Sequence, residues 1–182
     1  MSDATHLEDL RIRYNNGESL DYVFFWGHEQ SLCGLNDACL SQWYESPFEI
    51  DGRRYLTAEH FMMAEKAALF GDQEMRHKIL NAQTPAGAEA LGRRVRGFDE
   101  VVWCQNRFNI VVRANKAKFL QHENLRRFLL GTGSRILVEA SPADPIWGIG
   151  LEQHDTRANN PNEWRGLNLL GFALMRVRAR MA

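Results

Sequence analysis

This sequence has few cysteines, almost no net charge and no long apolar run, and each of these features argues against a class of protein. The three cysteines, Cys33, Cys39 and Cys104, are odd in number and fit no zinc or redox spacing, so we expect no disulfide framework. A reducing cytoplasm is the natural compartment. The net charge of −1 lacks the basic excess of a duplex-binding protein. We find no apolar run that would span a bilayer and no signal peptide.

What is present is an ordinary globular composition, with 45% hydrophobic and 25% charged residues over 182 positions. That length fits one domain with a sizeable core. We predict an irregular N-terminal extension over residues 1–20 and a single, mainly α domain over 21–182. A small β element is expected near its N-terminal end.

Local patterns place the elements. DYVFFWG (Asp21–Gly27) predicts a buried strand, and Asp51-Gly52 inside FEIDGRRYL (Phe48–Leu56) predicts a hairpin. Ser31–Ser46 is expected to be loop or short helix. Helix and strand signals then predict the remaining elements: helices over Thr57–Phe70, Asp72–Asn81, Thr84–Gly92, Asp99–Leu120 and Glu123–Leu130, a strand over Arg135–Glu139, and a last helix with a stripe of Leu167, Leu170, Leu174, Val177 and Met181.

The segment TAEHFMMAEKAALF (Thr57–Phe70) holds four polar side chains, Glu59, His60, Glu65 and Lys66, within a mostly apolar helix. Glu59 and Lys66 are seven residues apart, so they lie on nearly the same helical face. Both could reach into one cleft. Alternatively, the helix dipole favours Glu59, Lys66 extends its amine to water, and His60 and Glu65 face solvent.

The segment VEASPADPIWGIG (Val138–Gly150) is the second unusual stretch. Glu139 ends an apolar strand, Asp144 precedes a proline, and Trp147 is followed by Gly148. A tryptophan beside glycine gives a flat aromatic wall that a ligand can approach closely. The alternative is a turn in which Asp144 caps locally and Trp147 fills the core.

Tryptophan recurs near glycine in predicted loops, at Trp26-Gly27 and at Trp164 before Gly166. Stacking on a nucleobase or pyrimidine is one use, and core packing is the other. Asn168 is expected to cap the last helix. Arg93 could fork onto a phosphate, although most of the basic residues should be solvated surface charges.

Several ordered motifs together resemble the NADAR family, also called the YbiA-like family. The resemblance runs from about Tyr22 to Arg178. The matching pieces are FFWG, SQWYESPF, DGRRYLTAEHFMMAEKAALFGD, LGRRV, AKFLQH, LLGTG, LVEASPADPIWGIG and WRGLNLLGFALMRVR. Gln42 stands where many relatives have Asn.

The resemblance implies a mainly α fold and an N-glycosidase. Such an enzyme would hydrolyse the C1–N bond of ribosylaminopyrimidine phosphates, reactive early intermediates of riboflavin biosynthesis, and release ribose 5-phosphate. One alternative is a hydrolase that removes ADP-ribose from guanine in nucleic acid or nucleotides. Another is a non-catalytic module that binds ADP-ribose or a nucleotide.

On this resemblance, the candidate catalytic residues are Glu59, Lys66 and Asp144. Glu59 would stabilise positive charge at C1, Lys66 would attack C1 to form a Schiff base, and Asp144 would bind ribose hydroxyls or move protons. The candidate substrate-binding residues are Trp26, Gly27, Trp43, Arg93, Glu139, Trp147, Gly148 and Asn168. We expect no cofactor, no metal, no membrane and no obligate protein partner.

Overall fold

A computed structural model describes residues 3–29 and 34–181. Their contacts divide the chain into two compact units: a central unit, residues 42–123, and a terminal unit, which joins residues 1–41 to residues 124–182. The prediction of one domain over residues 21–182 stays a prediction. Mainly helical structure with small sheets is confirmed. None of the described helices is long and apolar enough to cross a membrane.

The central unit begins with the predicted hairpin, in which β2 (Phe48–Ile50) pairs antiparallel with β3 (Arg53–Tyr55). Asp51 and Gly52 form the connection, with φ angles of 52° and 71°. Two consecutive left-handed residues make the two-residue turn that matches the twist of paired strands. The Asp-Gly signal therefore predicted this hairpin correctly.

Four helices follow in the central unit, and a side-chain cap begins each of them. The caps Thr57, Asp72, Thr84 and Asp99 each accept a hydrogen bond from the backbone N–H three residues later. Such caps satisfy donors that the first turn would leave unpaired. The helices are α2 (Ala58–Leu69), α3 (Gln73–Leu80), α4 (Pro85–Gly92) and α5 (Glu100–Gln121), as predicted to within about two residues.

Close packing joins α2 to α4. A Cβ on Gly92 would lie 2.0 Å from Sδ and 2.8 Å from Cγ of Met63, distances that no real contact allows. Glycine at this position therefore lets α4 approach the face of α2 that carries Lys66. The core of the unit is built from buried apolar side chains, among them Phe61, Ala64, Ala67, Ile79, Val111 and Phe119.

The terminal unit contains the parallel sheet. β1 (Tyr22–Phe25) pairs with β4 (Ile136–Glu139), so that Phe25 lies opposite Glu139. α6 (Glu123–Gly131) precedes β4, and α7 (Leu169–Ala179) follows its loop. Of the predicted stripe on the last helix, Leu170, Leu174 and Val177 are buried, while Leu167 and Met181 lie outside the helix.

The prediction of an irregular N-terminal stretch is wrong, because α1 occupies Asp3–Asn15. Among its described side chains, residues 5–15, only Leu7 and Leu10 are buried, and Ile12 is 53% exposed, so the apolar stripe is too narrow to give a clear period. Arg11 Nε anchors the helix by donating to Pro161 O at 3.0 Å.

The predicted loop or short helix over Ser31–Ser46 holds a 3-10 turn at Asp37–Leu40. Ser31, Leu32 and Cys33, at its start, lie outside the described residues.

Candidate functional site

Lys66, in the central unit, is a half-buried amine facing aromatic rings. Its Nζ lies 4.5 Å from the ring centroid of Phe98 and 5.5 Å from that of Trp103. It makes no ion pair within the described part of the chain. Burial lowers the pKa of Lys66; the charges of Glu100 and Glu59 oppose that shift, and the charge of Arg93 adds to it. A lysine in such surroundings is a candidate nucleophile.

Glu59 lies in the first turn of α2, two turns before Lys66, and is only 4% exposed. Its charge acts on the Lys66 amine, so the two groups are electrostatically linked. The backbone N–H of Glu59 donates to Gln42 O at 3.1 Å, which fixes the start of the helix.

Gln42 occupies a buried polar cluster below that start. Its Nε2 donates to Met62 Sδ at 3.3 Å, and its Oε1 accepts from Asn115 Nδ2 at 3.5 Å. Both amides are buried, Asn115 completely. The longer Gln side chain thus spans from α2 to α5. Trp43, the next residue, is half-buried in the same turn.

Arg93, the predicted phosphate ligand, follows α4 and is exposed. Its Nη2 donates to Glu89 Oε1 at 2.5 Å in an i,i+4 pair. Exposed pairs of this kind contribute little to stability, so an incoming anion would displace Glu89 at small cost. The effect of Arg93 on the pKa of Lys66 shows that its charge reaches the amine.

His60 and Glu65 do not simply face solvent, as one reading had it. His60 is 2% exposed, its Nδ1 lies 2.8 Å from Thr57 Oγ1, and its Nε2 lies 3.2 Å from Ala82 O. Burial lowers the pKa of His60, partly offset by the Ala82 carbonyl. Glu65 pairs with Arg76 at 3.4 Å and with Arg113 at 3.2 Å. These two residues serve the structure of the helix.

The terminal unit gathers its candidates where the parallel strands end. Trp26, 59% exposed, and Gly27, at φ 86°, follow β1 directly. Glu139 ends β4, opposite Phe25, and the loop after it carries Asp144, Trp147 and Gly148. The carboxyl ends of parallel strands share one edge of a sheet, which is where α/β proteins usually place ligands.

Asp144 organises this loop. Its Oδ1 accepts hydrogen bonds from the backbone N–H of Ile146 and of Trp147, both at 2.8 Å. The local cap considered from the sequence is therefore present. Asp144 and Trp147 are both half-buried rather than fixed in a core, so they remain accessible to a ligand.

Glu139, at the sheet edge, has a strongly raised pKa. Its side chain as a whole is only partly buried, but Oε2 is completely so and has no hydrogen-bond partner among the described residues. Burial, and secondarily the charge of Asp144, raises the pKa of Glu139 to about 8.

Asn168 is fully buried, and its side chain bonds the backbone of β4. Its Oδ1 accepts from Glu139 N at 3.0 Å, and its Nδ2 donates to Leu137 O at 2.9 Å. It occupies the N-cap position of α7, as predicted, but its side chain makes no capping bond. The structure places it where it would hold Glu139 in position.

Sequence reasoning missed several residues. Phe98 and Trp103 were not among the candidates, because both are more than 30 positions from Lys66, beyond any local pattern. Most basic residues were expected to be solvated surface charges, but Lys118 is 0% exposed, and its Nζ lies 5.2 Å from the centroid of the Phe119 ring. Within residues 3–29 and 34–181, no group of three His, Cys, Asp or Glu side chains could hold a metal ion. The expectation of a metal-free site stays a prediction.

Comparisons with known proteins agree with the motifs. The family model of the NADAR domain matches residues 24–182. An N-glycosidase of Acanthamoeba polyphaga mimivirus is 41% identical over 88% of this chain and 96% of its own length. The N-glycosidase YbiA of Escherichia coli is 32% identical over 75% of this chain and 76% of its own length.

A maize chloroplastic protein, riboflavin biosynthesis protein PYRR, is 35% identical over 69% of this chain, which matches 19% of that longer protein. The NMR structure of E. coli YbiA superposes with a TM-score of 0.71 at 28% identity, covering 88% of this chain and 84% of that one. The predictions of the family and of an N-glycosidase as the enzyme class are confirmed.

Proposed function

The chain belongs to the NADAR family, and from that premise we propose that it hydrolyses the C1–N bond of ribosylaminopyrimidine phosphates, releasing ribose 5-phosphate and a free aminopyrimidine. The observation that carries the proposal is the Lys66 amine, half-buried against Phe98 and Trp103 without an ion-pair partner among the described residues. The name of the maize relative supports this class of substrate.

A ribosylamine opens readily to an imine between C1 and the exocyclic nitrogen of the heterocycle, and a neutral amine can exchange with that imine. The Lys66 amine adds to C1 and passes one proton to the nitrogen of the heterocycle, a second proton reaches that nitrogen as the C1–N bond breaks, and the aminopyrimidine leaves as a free amine. Water then adds to the lysine imine and releases the open-chain aldehyde of ribose 5-phosphate. The lowered pKa of Lys66 increases the fraction of neutral amine available for the first step.

Glu59 is proposed to stabilise the positive charge that develops at C1, or to carry protons between the two nitrogens. Its position two turns from Lys66, with its charge acting on that amine, supports either role. Arg93 is proposed to bind the 5-phosphate, since its charge also acts on the amine and its present partner is the single carboxylate of half-buried Glu89.

In the terminal unit, the contacts and exposure of Asp144, Trp147 and Trp26 support roles in substrate binding. Asp144 presents one carboxylate oxygen that is not used by its two backbone bonds, which suits a ribose hydroxyl. Trp147 and the exposed Trp26 offer flat rings for an aminopyrimidine. The substrate-binding role of Trp43, in the central unit, stays a prediction. Gly27 and Gly148 would let a ligand approach the backbone.

The direct test measures ribose 5-phosphate after mixing purified protein with freshly prepared ribosylaminopyrimidine phosphate. We expect release well above the spontaneous rate, lost in Lys66→Met and kept in Lys116→Met, which removes an exposed amine from α5. A parallel reaction measures the ADP-ribose that is released from guanine-linked ADP-ribose. Release only from the second substrate would contradict the proposed substrate, and turnover by folded Lys66→Met at the wild-type rate would contradict the mechanism.

A further inference from the structure

Glu139 has a side chain whose surroundings do not suit an ionised carboxylate. Its backbone is fixed on both sides, since its N–H donates to Asn168 Oδ1 at 3.0 Å and its O accepts from Ile149 N at 2.9 Å. Its Oε2, however, is buried without a partner in the part of the chain that the structure describes. Burying a charged oxygen in that way costs several kcal/mol, so the neutral acid is favoured.

Asp144 adds to the effect. Its carboxylate is held by two backbone N–H groups at 2.8 Å, and its negative charge acts on Glu139. Two carboxyl groups that share a site do not ionise equally, and the one in the drier surroundings keeps its proton. Glu139 is that one, with a pKa of about 8 from burial first and Asp144 second.

The loop holds the two acids in a tight arrangement. A Cβ on Gly148 would lie 2.9 Å from Glu139 O and 3.1 Å from Asp144 O, so only glycine allows the chain to pass there. Asn168 secures the other side of the strand end. An acid fixed in place, protonated and without an internal acceptor has its proton available for a ligand.

We propose that Glu139 is the proton donor of the glycosidase reaction: its dry Oε2 keeps the carboxyl protonated, and its Oε1, which is not among the completely buried atoms, gives the carboxyl proton to the nitrogen of the departing heterocycle. This inference rests on the proposed function. As the C1–N bond breaks, its electron pair stays with nitrogen, nitrogen takes the proton, and Glu139 becomes a carboxylate. Whichever nucleophile first takes C1, the water consumed overall supplies the proton that restores Glu139, so atoms and charges balance.

The role requires the protonated acid. Activity that depends on Glu139 is therefore present below its pKa and is lost as the pH rises through about 8. Within the described residues, Asp144 is the charged group that acts on Glu139 most directly, so its replacement should move this alkaline limb to lower pH.

The experiment compares the pH dependence of kcat for wild type, Glu139→Gln, Glu139→Asp and the control Glu152→Gln, which alters an exposed acid of the same unit. Glu139→Gln should lower kcat at neutral pH by roughly 10²-fold and abolish the alkaline limb. It should lose less with a substrate whose heterocycle is a better leaving group. Glu152→Gln should match wild type. Partial recovery in Glu139→Asp would support a proton-donating carboxyl.

A titration by carbon-13 NMR of labelled glutamate side chains, assigned with the Glu139→Gln variant, gives a readout besides activity. A signal that titrates near pH 8 supports the inference, and a Glu139 signal that titrates below pH 6 overturns it. Glu139→Gln with wild-type kcat and an intact alkaline limb would overturn this inference alone. Absence of release by wild type from either substrate would overturn the proposed function as well.

Discussion

Lys66 in the central unit and Glu139 in the terminal unit would carry opposite charges, yet their surroundings move both toward the neutral form. Burial lowers the pKa of the amine and raises that of the acid. The neighbours differ, however. Glu100 and Glu59 oppose the shift at Lys66, whereas Asp144 reinforces the shift at Glu139. Burial is thus the first cause of both shifts, and it favours the neutral amine at Lys66 and the neutral acid at Glu139.

The pKa values of Lys66 and Glu139 therefore depend on neighbouring charges to different degrees. The shift at Lys66 is the balance of burial against two carboxylates, so removing one aromatic ring should disturb it. The shift at Glu139 has two causes of the same sign, with burial the larger, and should survive the loss of the smaller one, the charge of Asp144.

The largest effect is expected at Lys66 itself. Lys66→Met should lower the rate of ribose 5-phosphate release by about 10⁴-fold or more, because no other nucleophile replaces the amine. The apolar chain should still pack against Phe98 and Trp103, so the unfolding temperature should change little. Stopped assays and thermal melting measure the two quantities. A folded Lys66→Met variant that keeps more than a tenth of the activity would contradict the role of Lys66 as nucleophile.

Glu59→Gln should lower kcat by about 10²-fold, through loss of charge at C1. It should also lower the pKa of Lys66 further, because the carboxylate raises it now. The acidic limb of the pH–rate profile should therefore move to lower pH even as the plateau falls. A limb that moves to higher pH would contradict the link between these two residues.

Phe98→Ala should sharpen the comparison with a smaller effect. Phe98 is 43% exposed, so its removal should leave the fold intact while opening the Lys66 amine to water. Burial is the first cause of the lowered pKa, so that pKa should rise, and the rate at neutral pH should fall by about tenfold for each unit of rise. Val101→Ala, which shortens another exposed apolar residue, is the matched control. An unchanged acidic limb would show that the Phe98 ring does not desolvate Lys66.

Glu139→Gln should change the pH dependence of stability. The folded pKa of about 8 lies above the ordinary 4.5, so the stability that Glu139 contributes is present in full below 4.5 and is lost as the pH rises through about 8. Gln stays neutral throughout. The variant should therefore gain stability relative to wild type between pH 5 and pH 9, by on the order of 10 °C in Tm. A constant difference across that range would place the Glu139 carboxyl in ordinary, solvated surroundings.

Local signals accounted for much of the fold. The caps Thr57, Thr84 and Asp99 and the Asp51-Gly52 turn determine backbone geometry within a few residues, so the sequence predicted them well. The parallel pairing of β1 with β4 was not predictable in this way, because its partners are more than 100 residues apart. α1 was missed because just two of its side chains over residues 5–15, Leu7 and Leu10, are buried.

The candidate site was predictable in part. Family motifs identified Glu59, Lys66, Asp144 and Glu139 as candidates, but motifs carry no information about surroundings. The rings over Lys66 and the bare oxygen of Glu139 arise from tertiary packing. Asn168 shows the same limit, since its place before a helix predicted a cap, while its amide bonds a strand 29 and 31 residues earlier.

The central claim is that Lys66 forms an imine with C1 of the substrate, and reductive trapping tests it most directly. Wild-type protein would be mixed with ribosylaminopyrimidine phosphate and sodium borohydride, digested, and examined by mass spectrometry. The account predicts a reduced ribose phosphate adduct on the peptide that contains Lys66, absent from Lys66→Met and unchanged in Lys116→Met. Trapping on another residue, or rapid turnover without any trapped adduct, would contradict it.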